Sequence, residues 1–170
     1  MIIKTIKVGY LRTNCYVLIN GDDAIIVDPG DDYDRINSEL NGLNVRAILI
    51  THHHFDHVGA LDRFGNVLVI DFYSEKRKYQ IGEFYFELID TKGHTDDCVT
   101  FYFRNDNIMF TGDFLFKGTV GRTDLDTSSF SDMMKSIKVI KEYPMETVIY
   151  PGHGYSTVLG DEVESNIYFS

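Results

Sequence analysis

The chain has 170 residues and a mass of 19.5 kDa, a size that suits one domain with its own core. Hydrophobic residues make up 44% and the formal net charge is −10, which excludes a disordered chain and weighs against a phosphate-gripping nucleic-acid surface. Aliphatic runs stop at four residues, far short of the ~20 that a membrane span needs, so no transmembrane helix is expected.

In chain order, Ile2 to Val8, Cys15 to Ile19 and Ala24 to Asp28 are β-branched or aromatic runs parted by turn residues, and predict a meander. Tyr33, Ile36, Leu40 and Leu43 recur at helical spacing before a buried strand over Arg46 to Ile50, so the order switches to β-α-β. A short helix is expected over Val58 to Phe64 and a strand over Val67 to Ile70. Two hairpins follow: Tyr79 to Ile81 with Phe84 to Ile89 around Gly82-Glu83, and Cys98 to Phe103 with Ile108 to Thr111 around Arg104 to Asn107. Phe130, Met133, Met134, Ile137 and Ile140 form one helical stripe, opened by Ser129-x-x-Asp132 and followed by Pro144. Thr147 to Tyr150 gives a last strand. Several strands are apolar on both faces, which predicts two packed sheets with helices outside.

The N-terminus has no apolar stretch of signal-peptide length, and two cysteines, Cys15 and Cys98, fall short of a disulfide framework. A cytoplasmic protein with two reduced core thiols is expected. Four of the six histidines lie in His52-His53-His54-Phe55-Asp56-His57. At this composition the pattern H-x-H-x-D-H arises by chance in roughly one chain in a thousand. Residues i and i+2 leaving a strand point the same way, so His52 and His54 can present imidazoles to one point while His53 faces elsewhere. Asp56 and His57 follow where the chain turns, and could aim a carboxylate and an imidazole at a neighbouring point. His94, Asp113 and His153 each sit at another predicted strand end beside a glycine. These imidazoles and carboxylates suit zinc, iron or manganese, and a two-metal site is the natural reading.

With these segments together the sequence resembles the metallo-β-lactamase superfamily, and within it the short glyoxalase-II-like (hydroxyacylglutathione hydrolase-like) hydrolases. The resemblance rests on Thr13-Asn14-Cys15-Tyr16, Val27-Asp28-Pro29-Gly30, Thr51 to His57, Gly93-His94-Thr95, Thr111 to Phe116, Gly121-Arg122-Thr123-Asp124 and Tyr150 to Gly154. It implies an α/β fold, a four-layer αββα sandwich of two mixed sheets with outer helices, spanning the whole chain as one domain. The C-terminal helical domain with which full-length glyoxalase II grips glutathione is not expected here. Two divalent metal ions are implied, zinc first, with iron or manganese as alternatives. His52, His54 and His94 would hold one ion, Asp56, His57 and His153 the other, and Asp113 would bridge them. Asp28 matches a position that supports the site from behind, and reads equally as a turn residue before Pro29. Where the family commonly continues Gly-His-Thr with Pro-Gly-Ser, Asp96-Asp97-Cys98 follow here, bringing two carboxylates and a thiol near the metals.

The implied chemistry is attack of a metal-bound hydroxide on an acyl carbonyl, with Asp56 orienting the hydroxide. A thioester is favoured over an amide because its thiolate, with a pKa near 8.5, leaves without a general acid. Phe114 and Phe116 are candidates for the pocket wall, although strand alternation makes one of them core. Lys117 and Arg122 are candidates to hold an acidic substrate end, and Arg122 reads equally as a local partner of Asp124. The expected partner is a small acyl substrate, with neither nucleic acid nor membrane. Two enzymatic alternatives use the same scaffold: a mononuclear-iron persulfide dioxygenase, which shares the Gly-Arg-Thr-Asp segment, and a metal-dependent phosphodiesterase or nuclease. A non-enzymatic metal-binding module is the third.

Overall fold

In the computed structural model, which describes residues 1–170, the chain folds as two β-sheets with helices on their outer faces. The first sheet has the order β1 (Ile2–Val8), β2 (Thr13–Asn20), β3 (Asp23–Val27), β4 (Asn44–Leu49) and β5 (Val69–Ile70). β1 to β3 are the expected antiparallel meander, and Gly21, at φ +60°, makes the tight β2–β3 turn that a side chain would strain. α1 (Tyr33–Glu39) then carries the chain across, so β4 lies parallel to β3.

The second sheet holds β6 (Lys78–Ile81), β7 (Phe84–Asp90), β8 (Val99–Phe103), β9 (Ile108–Gly112), β12 (Val148–Pro151) and β13 (Thr157–Val158), in the order β13-β12-β9-β8-β7-β6. β6 to β9 pair antiparallel, as the two hairpin signals predict. α3 (Phe130–Ile140) crosses over and places β12 parallel to β9. Between them β10 (Leu115–Phe116) and β11 (Thr119–Val120) form a separate small hairpin.

Three apolar clusters make the four layers. Tyr16, Leu18, Val27 and Leu49 of the first sheet meet Phe86, Phe101, Phe103 and Phe110 of the second between the sheets. Ile36 and Leu40 cover the outer face of the first sheet, and Met133, Ile137 and Ile140 that of the second. β8 and β9 are buried along their whole length, so they read as continuous apolar runs rather than alternating ones.

Two expectations are corrected, and one segment is new. The helix predicted over 58–64 is a single turn, α2 (Phe55–Val58), followed by a 3-10 turn over Leu61–Phe64. The Ala60 N–H donates to the Pro29 carbonyl at 2.9 Å, which takes it out of the helical ladder. The strand predicted over 67–70 shrinks to Val69–Ile70, with the Leu68 carbonyl still accepting the Ile48 N–H at 2.8 Å. Beyond Gly154 the chain adds β13, α4 (Leu159–Ser165) and a 3-10 turn over Ile167–Phe169, none of which the apolar pattern reveals. Of the two buried positions of α4, Leu159 and Glu162, the second is a carboxylate, which takes the Gly118 N–H, the Thr157 hydroxyl and the Asn166 amide. A core-facing carboxylate hides the helical stripe. No helix of the chain is long and apolar enough to cross a membrane.

Candidate metal centre

Five strands deliver the site: β3 ends before Asp28, β4 before Thr51 to His57, β7 before His94, β9 before Asp113 and β12 before His153. Within each sheet these strands run the same way, so their C-terminal ends share one edge, where open α/β sheets hold ligands. After β4 the backbone is extended at His54, with ψ at 145°, so His52 and His54 point one way and His53 the other. α2 then turns the chain and brings Asp56 and His57 to the same place.

All seven side chains of the predicted metal set meet there, in three overlapping groups whose donor atoms lie within 4.8 Å of one another. His54 Nδ1 stands 3.1 Å from His52 Nε2 and 3.0 Å from His94 Nε2. His153 Nε2 lies 3.3 Å from Asp56 Oδ2 and 3.5 Å from Asp113 Oδ2, while Asp113 Oδ2 is 3.6 Å from His94 Nε2. Asp113 thus stands between the two trios. Gly152 makes this closure possible, since a Cβ there would collide with Asp113 Oδ1 and the His57 ring.

The far sides of these groups are fixed by other residues. His57 Nδ1 donates to Asp28 Oδ2 at 2.9 Å, and Asp28 also takes the Thr51 N–H at 2.8 Å and the Thr51 hydroxyl at 2.6 Å. Since Thr51 Oγ1 donates to Asp28, it accepts from His52 Nδ1 at 3.2 Å, which turns His52 Nε2 toward the cluster. His94 Nδ1 donates to the Arg122 carbonyl at 3.0 Å. Asp28 therefore supports the site, at φ +50°, and its turn geometry serves that role. Three buried side-chain atoms are left with no hydrogen-bond partner: Asn14 Oδ1 behind the site and, within the cluster, His57 Nε2 and Asp113 Oδ1, which stand 3.3 Å apart without hydrogen-bond alignment.

The electrostatics follow from this packing. Burial disfavours charge on His57, but the Asp28 and Asp113 carboxylates override it and lift its pKa to about 10. Burial opposes charge on His153 too, and Asp113 with Asp56 raises it to about 9. On Asp56 burial pushes upward, yet His153, His57 and the Thr13 hydroxyl hold it at about 2. Asp113 is likewise carried well below the carboxylate range by His153 and His57 against its burial. His52 and His54, with burial and neighbouring imidazoles against their charge, are lowered and stay neutral. The His57 side chain is fully buried, whereas that of His153 is 30% exposed and His54 is only partly buried, so the cluster opens along His54 and His153.

The remaining predicted residues divide. Phe114 is core beneath the site, whereas the half-buried Phe116 ring lies 6.2 Å from the His153 ring, as alternation requires. Arg122 forks onto Asp124 at 2.9 and 3.0 Å, and Lys117 is exposed on the β10–β11 turn. Asp97 joins His53 at 2.6 Å and accepts from Thr95, Asp96 points to solvent, and Cys98 bonds Thr95 outside the donor groups. Sequence reasoning gave no role to Thr13, whose hydroxyl donates to Asp56 Oδ2 at 2.7 Å across 43 residues. It gave none either to Asn14 and Tyr16, which donate to the Pro151 carbonyl. Their segment was visible as a landmark, but only the long-range contacts show its use.

The description "Metallo-beta-lactamase superfamily" belongs to the family model that matches residues 8–83 and 69–153. A probable metallo-hydrolase of Streptococcus pyogenes is 31% identical, with 92% of this chain and 85% of that protein covered. Hydroxyacylglutathione hydrolase GloC of Haemophilus influenzae is 29% identical over 100% of this chain and 99% of its own. Among solved structures, the B3 metallo-beta-lactamase BLEG-1 matches with a TM-score of 0.94 at 29% identity, covering 99% and 100% of the two chains. TTHA1623 in a di-iron-bound form matches at 0.86, also 29% identical, over 97% and 99%. A sequence match over most of the chain, two sheets stacked in the same way and a histidine–aspartate cluster at their shared edge lead to one conclusion: this chain belongs to the metallo-β-lactamase superfamily and is a metal-dependent hydrolase.

Proposed function

We propose that this chain is a dinuclear-metal hydrolase of small acyl substrates, thioesters first among them. The observation that carries the reading is the pair of unpartnered buried atoms, His57 Nε2 and Asp113 Oδ1, inside a donor set already oriented from behind. Buried polar groups without partners are costly and rare, and a cation among these nitrogens and oxygens satisfies them together. The residues present therefore fit the group. His52, His54 and His94 would hold one ion and Asp56, His57 and His153 the other, with Asp113 shared. Nitrogen and oxygen donors without thiolate suit zinc, iron or manganese, and the di-iron form of TTHA1623 supports a pair of ions. When bound, such a pair supplies Lewis acidity and lowers the pKa of a water to about 7.

The chain's own residues do the rest. Asp56 is held through Oδ2 by Thr13, which leaves its other oxygen to accept a hydrogen bond from the attacking water and orient it. Phe116 offers an apolar wall to the acyl group at the His153 opening. No side-chain acid stands ready to protonate a leaving group, because Asp97 is engaged by His53 and Thr95, Arg122 by Asp124, and Asp96 is exposed. A thiolate with a pKa near 8.5 can leave unprotonated and an amide nitrogen cannot, so thioesters suit the site. The name of the GloC relative supports the same substrate class.

Metal analysis of purified protein, joined to a screen of S-lactoylglutathione and other thioesters against a phosphodiester, a β-lactam and a persulfide, tests the reading. Two ions per chain with thioester hydrolysis is the expected result. A single iron with oxygen uptake on the persulfide, or turnover confined to the phosphodiester or the β-lactam, would replace it.

A further inference from the structure

Lys117 and Arg122, the cations the sequence offers for an acidic substrate end, are respectively solvated and already paired. The fold brings a different cation beside the turn that carries His153. Lys7 of β1 reaches the turn after β12, where its Nζ donates to the Gly154 carbonyl at 2.9 Å, across 147 residues. Beside it lies a cavity of about 230 Å³, lined by Thr5, Lys7, Tyr150, Gly154, Tyr155 and Ser156, with Asn14 and Tyr16 at its back. No carboxylate lines it. The side-chain hydrogen bonds of its lining residues all run to the carbonyls of Pro151 and Gly154, from Lys7, Asn14 and Tyr16. The hydroxyls of Thr5, Tyr150, Tyr155 and Ser156 remain free to donate.

In a chain of net charge −10, a cavity bearing an ammonium, four free hydroxyls and no acid is a local exception. Lys7 makes no ion pair with a carboxylate, and Arg12 stands near enough that, after burial, its charge is the second influence lowering the Lys7 pKa. No metal-set residue lines the cavity, but the turn that carries His153 runs between the two, with Tyr150 and Gly154 on the cavity side. Asn14 fixes that turn from behind, its N–H donating to the Gly152 carbonyl at 2.7 Å and its amide to Pro151 and Gly154. Gly154 follows His153 directly, on the side where the centre is open. A ligand bound through its reacting end at the centre meets this cavity with the part that extends past His153.

We propose that the Lys7 cavity is the subsite for an anionic group, carboxylate or phosphate, on the thiol half of the substrate. The identity of the ligand rests on the acyl-hydrolase reading above, while the anion preference rests on the cavity alone. The ammonium supplies the charge, and the Tyr150, Tyr155 and Ser156 hydroxyls supply neutral donors to the remaining oxygens.

Calorimetric binding to the metal-loaded protein tests this with three thioether probes that carry no ester or thioester: N-acetyl-S-methylglutathione, its neutral diamide and S-methyl-coenzyme A. At least one of the two anionic probes is expected to bind five times or more tighter than the neutral diamide. Which one does so separates a carboxylate from a phosphate ligand. Lys7→Gln is expected to abolish that advantage, Lys7→Arg to keep most of it, and Tyr155→Phe, at an exposed position, to reduce it without touching the fold, with metal content equal throughout. Equal binding of all three probes, no binding of either anion, or an advantage that survives Lys7→Gln would overturn the subsite. If the advantage is present but no thioester is hydrolysed, the acyl-hydrolase reading fails and the subsite stands. If thioesters are hydrolysed but the advantage is absent, the subsite alone fails.

Discussion

Asp28 shows how much a single side chain can decide at this centre. It sits at φ +50°, takes both hydrogen-bond donors of Thr51, and fixes His57 through Nδ1. Asn tolerates the same left-handed backbone, so Asp28→Asn is expected to keep the fold while removing the charge behind His57. Supporting carboxylates of this kind contribute roughly 10–100-fold in metal affinity, a loss that chelator competition should detect; unchanged affinity would take Asp28 out of the supporting role. The same neighbourhood sets a proton count. Against their burial, nearby carboxylates hold His57 at about 10 and His153 at about 9, so both are protonated in the metal-free chain at pH 7.5. Because these folded-state values lie above the ordinary 6.5, the stability they give the metal-free chain is complete below 6.5 and is lost as pH rises through 9 and 10. Metal affinity moves the other way. Uptake at pH 7.5 should release ~2 protons per filled pair of sites, read by calorimetry in buffers of different ionisation enthalpy. The metal donors were legible because imidazole and carboxylate identity is written in the chain. The roles of Thr13 and Thr51 were not, because a hydroxyl gains its meaning from its partner.

Among the elements, α3 was fully legible and also serves the site. Ser129 caps it by accepting the Asp132 N–H at 3.1 Å, while the Ser129 N–H donates to Gly93 and the Ser136 hydroxyl to Lys92. The helix therefore holds the loop that presents His94. Ser129→Ala should cost about 1 kcal/mol, which in a chain of this size lowers Tm by about 2–4 °C; a thermal melt with no shift would mean the cap is dispensable. α3 could be read because its buried residues keep to one face, and its cap sits where the stripe begins. α2 could not be read correctly, since the contact that ends it, Ala60 to Pro29, comes from a different strand end. α4 escaped because one of its two buried positions is a carboxylate, satisfied by Gly118, Thr157 and Asn166, and periodicity counts only apolar side chains.

At the scale of the molecule, three apolar clusters hold the sandwich and the metal centre lies at its edge, apart from them. Removal of metal should therefore leave a folded chain. Ions present at ~1,000 times their Kd stabilise by about 4 kcal/mol, so chelation should lower Tm by roughly 8–16 °C while near-UV circular dichroism and a cooperative transition persist. Loss of both would show that the ions build the fold rather than occupy it. The sequence by itself determined the kinds of donor, the alternation that separates His53 from His52 and His54, and the two-sheet class, since these depend on side-chain chemistry and local period. Only the tertiary structure decided that Asp28 backs His57, that Thr13 holds Asp56 and that Lys7 meets the His153 turn. Those pairings join the ends of strands far apart in sequence, and their meeting is fixed by sheet order and by the crossovers of α1 and α3, which no local pattern encodes.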